Sequence, residues 1–475
     1  MRLQEAITVL LSSGSGKAGV GFLSLLVVVS IYVIFSYPLD FGLRFWNNPA
    51  VWADNPKNVP PTWTNTVTKL KRVQHATFRA TEANDVIPGS GMDTRLYTFD
   101  LDYEFDESPT FTSFTLSNIS YYSRPPIITL SLARPDDKEI LLYRHVVRGP
   151  DPGEGFPVTR YVESPQRVYL SGDNSVLFNV TDFIDQDFSL DIPLSQLRGT
   201  VDRIIFGTPA KEGGQYFKVL RGNYTIIVNA QVYHPEDSIG EVSFVLGGSA
   251  YGVMGTDSLG RDLATGLLFG FPVALLIGLV TAVLTTIIGT FMGILSGYKG
   301  GRTDTIIQRS CDIVANVPLL PILIFLIFIL GQKLGLVILI LIAFGWPGLT
   351  ILIRSMVLQY HSSQLVEATR SLGASSWRIM FQHLFFQIAP FILAQMIFFT
   401  PAAILAEAGL SFLGLGDPSI PTWGQILESG FSTGAVYAGY WWWVLPPGLL
   451  IVLAAMTFVL LTLGMEPVVN PRLRQ

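Results

Sequence analysis

The sequence predicts an all-α polytopic membrane protein with one inserted, mainly β domain. The chain has 475 residues, of which 49% are hydrophobic and only 14% are charged. A soluble domain averages about 25% charged residues, so this deficit indicates segments that face lipid. Residues 38–250 hold 26 of the 36 acidic and 19 of the 31 basic side chains. One mildly acidic soluble block therefore interrupts a charge-poor membrane protein, and nothing is basic enough to suggest a nucleic-acid partner.

Six apolar runs predict six transmembrane helices, since a span takes about 20 apolar residues. They are residues 20–37, 267–296, 317–331, 334–353, 388–406 and 441–463. The third run is short and contains Pro318 and Pro321, so its ends are poorly defined. Lys17 precedes the first run, which leaves a cleaved signal peptide as the alternative there.

The block between the first two runs has the pattern of β-structure. Residues 96–105 mostly alternate apolar with polar side chains, the period of a half-buried strand. Residues 127–132 and 140–147 flank a turn and predict a hairpin, and residues 224–233 are rich in β-branched side chains. The pattern predicts an antiparallel sandwich without a long amphipathic helix. The one cysteine, Cys311, lies outside the block, so disulfides do not hold it together.

The placement of lysine and arginine predicts the orientation, because cytoplasmic loops carry an excess of both. With a cytoplasmic N-terminus, six spans place ten of the twelve basic residues outside the β block on the cytoplasmic side. These ten are Arg2, Lys17, Lys299, Arg302, Arg309, Arg354, Arg370, Arg378, Arg472 and Arg474. Only Arg261 and Lys333 fall outside. Both termini are thus predicted to be cytoplasmic and residues 38–250 extracytoplasmic, in a plasma (inner) membrane.

The loop at residues 354–390, between the fourth and fifth runs, is the segment most informative about function. Residues 363–372 predict a helix. One face of it holds Leu365, Ala368, Thr369 and Leu372. Gly373 can end this helix in a left-handed conformation, and Ser375 or Ser376 can cap a second short helix. Such a knob can fit a groove on a cytoplasmic partner. The alternative is an ordinary solvated loop.

Three segments resemble motifs of one protein family. The loop resembles the EAA loop of ABC importer permeases, at Glu367, Ala368, Thr369, Gly373, Ile379, His383 and Pro390. Residues 255–262 look like the GTDxLGRD signature, at Gly255, Thr256, Asp257, Gly260, Arg261 and Asp262. Residues 406–424 are similar to AEAxLSFLGLG…PxWG, at Glu407, Ser411, Phe412, Gly414, Gly416, Trp423 and Gly424.

Together these motifs resemble the C-type permease of the dipeptide, oligopeptide and nickel ABC importer family, over residues 254–475 and the first span. The resemblance implies an ABC type I importer permease fold, a homologous second permease, two cytoplasmic ABC ATPases and an extracytoplasmic solute-binding protein. It also implies that the ATPases bind ATP and magnesium, so that this chain carries no cofactor or catalytic residue. Thr369 and Phe386 stand where the family usually has alanine and proline. The β block is a large departure that the resemblance does not explain.

The predicted division has three parts: residues 1–37 with the first span, residues 38–250 as the β insertion, and residues 251–475 as a core of five spans. The predicted function is half of a solute pathway, for peptides or a related small solute. The alternative is a membrane-anchored surface receptor or adhesion protein that works through its external β domain.

Glu407, an acid at membrane depth, either lines the solute path or forms a hydrogen bond within its own turn. Arg261 and Asp262 are expected to cap and anchor a helix start rather than contact solute. Residues 441–443, three tryptophans, predict an interfacial aromatic belt. Residues 14–17 read Gly-Ser-Gly-Lys but fail as a phosphate loop, because Leu11 and Ala18 break the pattern. The five histidines lack metal-ligand spacing.

Overall fold

The chain divides into two compact units, described separately below. In the computed structural model one unit comprises Met1–Val51 with Leu263–Gln475, and the other Trp52–Asp262. The structure describes residues 10–38, 40–190, 192–209 and 217–469. Arg2, Arg472 and Arg474, which entered the orientation prediction, lie outside the described residues.

The first unit begins with α1 (Gly14–Ser36), the predicted first span. Gly14 to Lys17 form its first turn, and Ser13 caps the helix by accepting a hydrogen bond from the Gly16 amide at 3.0 Å. A helical first turn is incompatible with a phosphate-binding loop followed by a nucleotide fold. A π-helical turn, Gly42–Trp46, follows the span.

The second unit contains twelve strands in the described part of the chain, and every strand pair is antiparallel. The strands are β1 (Ala76–Ala80), β2 (Asp85–Ile87), β3 (Asp93–Tyr103), β4 (Phe111–Tyr121), β5 (Ile127–Ala133), β6 (Glu139–Val146), β7 (Val158–Arg160), β8 (Gln166–Tyr169), β9 (Gly207–Pro209), β10 (Phe217–Val219), β11 (Gly222–Val232) and β12 (Ser238–Gly247). One sheet has the order β1-β12-β4-β7 with β8 also on β4, and another has β2-β3-β11-β5-β6. β9 and β10 form a separate two-stranded sheet.

The two large sheets share one hydrophobic core, because alternate residues of their strands point inward. On β11 the buried positions are Tyr224, Ile226, Val228, Ala230 and Val232. The predicted strands at 96–105, 127–132, 140–147 and 224–233 are confirmed as parts of β3, β5, β6 and β11, with ends shifted by at most three residues.

One expectation for this unit was wrong, since it does contain a long amphipathic helix. The unit's helices are α2 (Thr64–Val67), α3 (Asn174–Phe188), α4 (Leu194–Leu197) and α5 (Val201–Ile205), with a 3-10 turn at Leu170–Gly172. α3 buries Val176, Val180 and Ile184, a helical repeat that packs into the sandwich core. The Asp173 carboxylate caps the helix by accepting from the Ser175 amide at 2.8 Å. The apolar repeat and the capping aspartate are both visible in the sequence.

The rest of the first unit is helical. Its helices are α6 (Leu263–Lys299), α7 (Gly301–Asn316), α8 (Leu319–Leu330), α9 (Leu334–His361), α10 (Gln364–Ser371), α11 (Ser376–Arg378), α12 (Phe385–Phe412), α13 (Trp423–Ser432), α14 (Ala435–Ala438) and α15 (Trp441–Val469). A π-helical turn, Ile379–Leu384, joins α11 to α12. Five helices in the described residues are long and apolar enough to cross a membrane, namely α1, α6, α9, the stretch Ser376–Phe412 and α15.

The predicted third span is the exception. α8 has 12 residues, about 18 Å at 1.5 Å per residue, against a hydrocarbon core of about 30 Å. α7 and α8 are bent by 79° at the break between them, so the pair counts as one broken span or as none. Pro318 precedes α8 and cannot donate the amide hydrogen bond that would continue α7.

Helices α6 and α9 pack closely along a row of glycines. Gly289, Gly293 and Gly297 recur every four residues on α6 and therefore share one face. A Cβ atom built on each would lie 3.1 Å or less from side-chain atoms of Leu349, Ile353 and Val357 on α9. Small residues let helix backbones approach in this way where lipid surrounds them. We call this contact the glycine seam.

The predicted tryptophan belt is wrong for two of its three members. Trp442 and Trp443 are buried, and only Trp441 is exposed. The Trp443 indole donates a hydrogen bond to the Ile426 carbonyl at 3.2 Å, so it is used to hold α13 against α15. An indole that is satisfied inside the protein does not need the membrane interface.

Candidate functional site

The loop between α9 and α12 folds into two short helices joined at a glycine, and we call residues 364–378 the knob. α10 begins after the extended Ser363 and ends at Ser371, with Leu372 as its C-cap, within one residue of the predicted range 363–372. Gly373 has a φ of +80°, so the predicted left-handed end of the helix is confirmed. Its amide donates to the Arg370 carbonyl at 3.0 Å, and the Ala374 amide donates to Thr369 at 3.2 Å. These bonds satisfy carbonyls that a helix end leaves open.

The second half of the knob leads directly into a long membrane helix. Ser375 is extended and its hydroxyl accepts from the Arg378 amide at 3.4 Å, which confirms the predicted cap. From Ser376 the chain remains helical to Phe412, through the π-helical turn. A displacement of α11 therefore passes to α12 without an intervening loop.

The outer side of the knob exposes three large apolar side chains among polar ones such as Glu367 and Arg370. Leu372 is 87% exposed, Trp377 59% and Leu365 45%. Leu365 and Leu372 belong to the helix face that the sequence predicted, but that face points away from this chain rather than into it. Leucine and tryptophan side chains this open are typical of a surface that a partner covers.

The inner face of the knob packs on the ends of the glycine-seam helices. Val366 is fully buried in a cluster that includes Ile294 of α6 and Ile353 and Val357 of α9. Ile379 and Met380, which follow α11, belong to the same cluster. On the rim, the Arg370 guanidinium lies 5.9 Å from the centre of the Tyr298 ring. The knob thus touches α6, α9 and the start of α12 through one continuous apolar contact.

The remaining residues predicted for this loop take different places. Glu367 and Ala368 are exposed, and Ile379 is buried. The Thr369 hydroxyl donates to the Leu365 carbonyl at 2.5 Å, so the threonine that replaces the usual alanine is satisfied within α10. His383 lies half-buried in the π-helical turn, and Pro390 lies inside α12.

The segment 255–262 belongs to the second unit and forms a tight turn around Asp257. The carboxylate is buried and accepts from the Leu259 and Arg261 amides at 2.9 Å each. The Arg261 guanidinium pairs with it at 2.5 Å. Gly260 has a φ of +81°, and Thr256 exchanges hydrogen bonds with Val59. The turn therefore anchors residues next to the start of α6, and Arg261 is engaged within it.

The segment 406–424 forms a compact packed turn after α12. The Ser411 hydroxyl donates to Glu407 Oε1 at 2.6 Å, and both residues are buried. This bond agrees with the second alternative for Glu407, a hydrogen bond within its own turn. The Trp423 indole donates to the Leu267 carbonyl of α6 at 2.8 Å.

Close packing explains the small residues of this segment. A Cβ atom on Gly416 would meet the Ser411 hydroxyl, and one on Gly424 would lie 2.7 Å from the Ala408 Cα. Gly414 has a φ of +76°, and Phe412 packs edge-to-face on Phe431 at 5.3 Å between ring centres. From Ile379 to Glu407 the helix rises about 42 Å, so the knob and this turn lie at opposite ends of one membrane helix.

Sequence reasoning missed the two features that join the membrane helices near the knob. One is the glycine seam, although its four-residue repeat was visible. The other is the ion pair between Asp304 and Arg354, which lie 50 residues apart and carry no local signal. Within the described ranges, no group of three or more His, Cys, Asp or Glu side chains is arranged to hold a metal ion.

Comparison with known proteins matches residues 289–475 to the family described as the binding-protein-dependent transport system inner membrane component. The dipeptide transport system permease protein DppC of Bacillus subtilis (strain 168) is 36% identical over 222 residues, which cover 46% of this chain and 69% of that protein. The oligopeptide permease protein OppC of the same strain is 34% identical, with coverages of 46% and 72%. The glutathione permease protein GsiD of Pectobacterium atrosepticum is 31% identical over 255 residues, with coverages of 53% and 81%.

Among solved structures, the inward-facing MetNI methionine ABC transporter is 18% identical with a TM-score of 0.34, over 45% of this chain and 96% of that one. A likeness at that TM-score carries no argument about this fold. The family is shown instead by the sequence identity to the relatives and by the share of their length that this chain matches. The chain belongs to the family of binding-protein-dependent transport system inner membrane components, and it is the membrane permease subunit of such an importer.

Proposed function

We propose that this chain forms half of the solute pathway of an ATP-driven importer, with a homologous second permease forming the other half. The observation that carries the proposal is the knob, which presents exposed Leu372 and Trp377 on one side and packs into the membrane helices on the other. A partner that covers these side chains would bury apolar surface, which favours binding.

The partner of the knob would be one of two cytoplasmic ABC ATPases. Each ATPase would bind ATP and magnesium, so that the chemistry of hydrolysis lies outside this chain. The apolar outer face of α10 would enter a groove on the ATPase, as an amphipathic helix binds its target. Val366 and Ile379 would then transmit the movement of that groove to α6, α9 and α12.

Transport would follow from two arrangements of these helices. ATP binding brings the ATPases together, which pushes the knob and favours an outward-open arrangement; hydrolysis releases it. A ligand shifts such an equilibrium only through contacts that differ between the two states. The knob supplies those contacts on the ATPase side, and an extracytoplasmic solute-binding protein would supply them on the other.

The proposed topology has six spans, both termini in the cytoplasm and residues 38–250 outside. α7 and α8 together would form the third span, with α7 partly along the cytoplasmic surface, since it carries Arg302, Asp304, Arg309 and Asp312. The knob would then face the cytoplasm, and the packed turn at 406–424 would face the opposite side.

A peptide is the proposed solute, because the relatives' own names describe carriers of dipeptides, oligopeptides and glutathione. For the β unit, docking or retention of the solute-binding protein is proposed. The ends of this unit are held together at its base, where the Thr62 amide donates to Gly252 at 3.0 Å and the Tyr251 amide donates to Pro60 at 2.9 Å. We call this pairing of the two chain ends the clasp.

A gentle-detergent pull-down from the native membrane, followed by mass spectrometry, tests the assembly. We expect a second permease, ATPases and a solute-binding protein, whose bound solute identifies the cargo. Recovery of this chain alone, from membranes whose other transporters stay intact, would contradict the proposal and favour a receptor that works through its β unit.

The clasp also permits a clean test of the β unit. Replacing residues 64–249 with a short Gly/Ser linker joins ends that already lie side by side. We expect the ATPases to co-purify as before while uptake at low concentrations of binding protein falls at least about tenfold, because tethering supplies a high effective concentration. Excess binding protein should restore uptake. Undiminished uptake at low concentrations would show that the unit has no docking role.

A further inference from the structure

Asp304 of α7 and Arg354 of α9 form a two-pronged ion pair within the first unit. Arg354 Nε donates to Asp304 Oδ1, and Nη2 donates to Oδ2, at 2.6 Å each. Charge-assisted bonds of this parallel type fix orientation as well as distance. The side chains are 21% and 29% exposed respectively, so water screens the pair only in part.

A residue of a third helix, α6, is hydrogen-bonded to this ion pair. The hydroxyl of Ser296, a fully buried residue of α6, donates to Asp304 Oδ1 at 2.5 Å. Gln308, one turn beyond Asp304 on α7, donates to the same hydroxyl at 3.2 Å. The cluster of Ser296, Asp304, Gln308 and Arg354, which we call the latch, therefore connects α6, α7 and α9.

The latch lies at one end of the glycine seam, next to the apolar cluster that holds the knob. A Cβ atom on Gly297 would be 2.9 Å from the Arg354 carbonyl oxygen, so the glycine seam ends at the latch. Ile353 and Val357, which flank Arg354 on α9, belong to the cluster that holds Val366 of the knob. Whatever moves the knob thus acts on the helices that the latch ties together.

The apolar contact of α7 with its neighbours is small. Of the 16 residues of α7, only Ile307 and Cys311 are buried, whereas Ile306 and Ile313 are exposed. A partly buried ion pair adds little stability compared with apolar packing, because both charges lose water. What such a pair does supply is a defined geometry between the groups that it joins.

We propose that Asp304 and Arg354 are positioning residues for transport, which make α7 and the following α8 move as one body with α6 and α9 when the knob moves. This inference rests on the proposed function, since it needs an ATPase that drives the knob. Without the latch, the ATPase would still move α9, but the third span would follow loosely, and ATP would be hydrolysed without solute passing.

The test uses the whole complex recovered in the pull-down, reconstituted in liposomes with the solute identified in its binding protein. Three variants are compared with the wild type: Asp304→Asn, Arg354→Gln and the double variant. The measured quantity is the number of solute molecules taken up per ATP hydrolysed. The control variant is Arg309→Gln, which breaks the exposed pair with Asp312 on the same helix.

We expect each single variant to lower uptake per ATP about tenfold, a factor that corresponds to about 1.4 kcal/mol. The double variant should be no worse than either single, because residues that act as one pair are not additive. The ATPase rate, the amount of assembled complex and the Arg309→Gln control should stay near wild type, which a loss of folding would not allow.

Unchanged uptake per ATP in the single variants would contradict the proposed role of the latch. Effects that multiply in the double variant would contradict it as well. A fall in assembled complex that accounts for the lost uptake would also overturn it, since the pair would then be structural only. Failure of the proposed function is distinguishable, because the wild-type complex itself would then lack ATP-driven uptake.

Discussion

Replacing Gly373 with proline is expected to abolish transport while the chain stays in the membrane at its normal level. Gly373 has a φ of +80°, whereas the proline ring holds φ near about −65°. Proline would also remove the amide that donates to the Arg370 carbonyl at 3.0 Å. The joint between α10 and α11 would be lost, and with it the position of Val366 in α10 relative to Ile379 after α11.

Gly373→Asn is the matched control, because asparagine tolerates the left-handed conformation better than other residues. Added atoms are not the difficulty, since a Cβ atom on Gly373 would meet nothing within 4 Å. Uptake in whole cells and the amount of chain in isolated membranes should be measured together. Normal uptake by the proline variant would refute the role of the knob, and a variant missing from the membrane would refute the expectation that its effect is local.

Replacing Gly293 with valine is expected to destabilise the membrane unit and lower its amount in the membrane. A Cβ atom at Gly293 would lie 2.6 Å from Ile353 Cβ and 2.9 Å from the Thr350 carbonyl oxygen. Neither neighbour is the end of a flexible side chain, so α6 and α9 would have to separate along the glycine seam. Overpacking of this kind typically costs about 1–3 kcal/mol.

Gly348→Val on α9 is the control, since nothing lies within 4 Å of a Cβ atom there. The amount of chain in membranes and its unfolding temperature in detergent should both fall for Gly293→Val and stay near wild type for Gly348→Val. Equal behaviour of the two variants would show that the seam does not hold these helices.

Local signals account for the parts of the fold that the sequence predicted. The alternation along residues 224–233 reports one buried face, and a strand needs no more than that to be recognised. Ser375 and Gly373 are likewise recognisable as helix caps from the residue type alone. The serine hydroxyl can accept from a free backbone amide, and glycine adopts the left-handed conformation without strain. The permease family was recognisable for the same reason, because its motifs are contiguous stretches of chain.

The parts that the sequence did not predict depend on contacts between distant segments. Asp304 and Arg354 were counted only as charges, since nothing in either neighbourhood reports that they meet. Trp443 is buried because α13 offers it a carbonyl, which the run of three tryptophans does not reveal. α3 is different, because its apolar repeat and its capping aspartate are both local signals, although they lie within a stretch whose dominant pattern is that of β-structure.

Crosslinking from position 372 tests most directly whether the knob couples this permease to an ATPase. Cys311, the only cysteine, is buried, so a Cys311→Ser background with Leu372→Cys carries one exposed thiol. We expect a thiol-reactive photo-crosslinker there to join the chain, in native membranes, to a cytoplasmic ATPase. The same probe on Glu428→Cys, at the opposite end of the membrane helices, should not. An adduct from position 428 but none from position 372 would contradict the account.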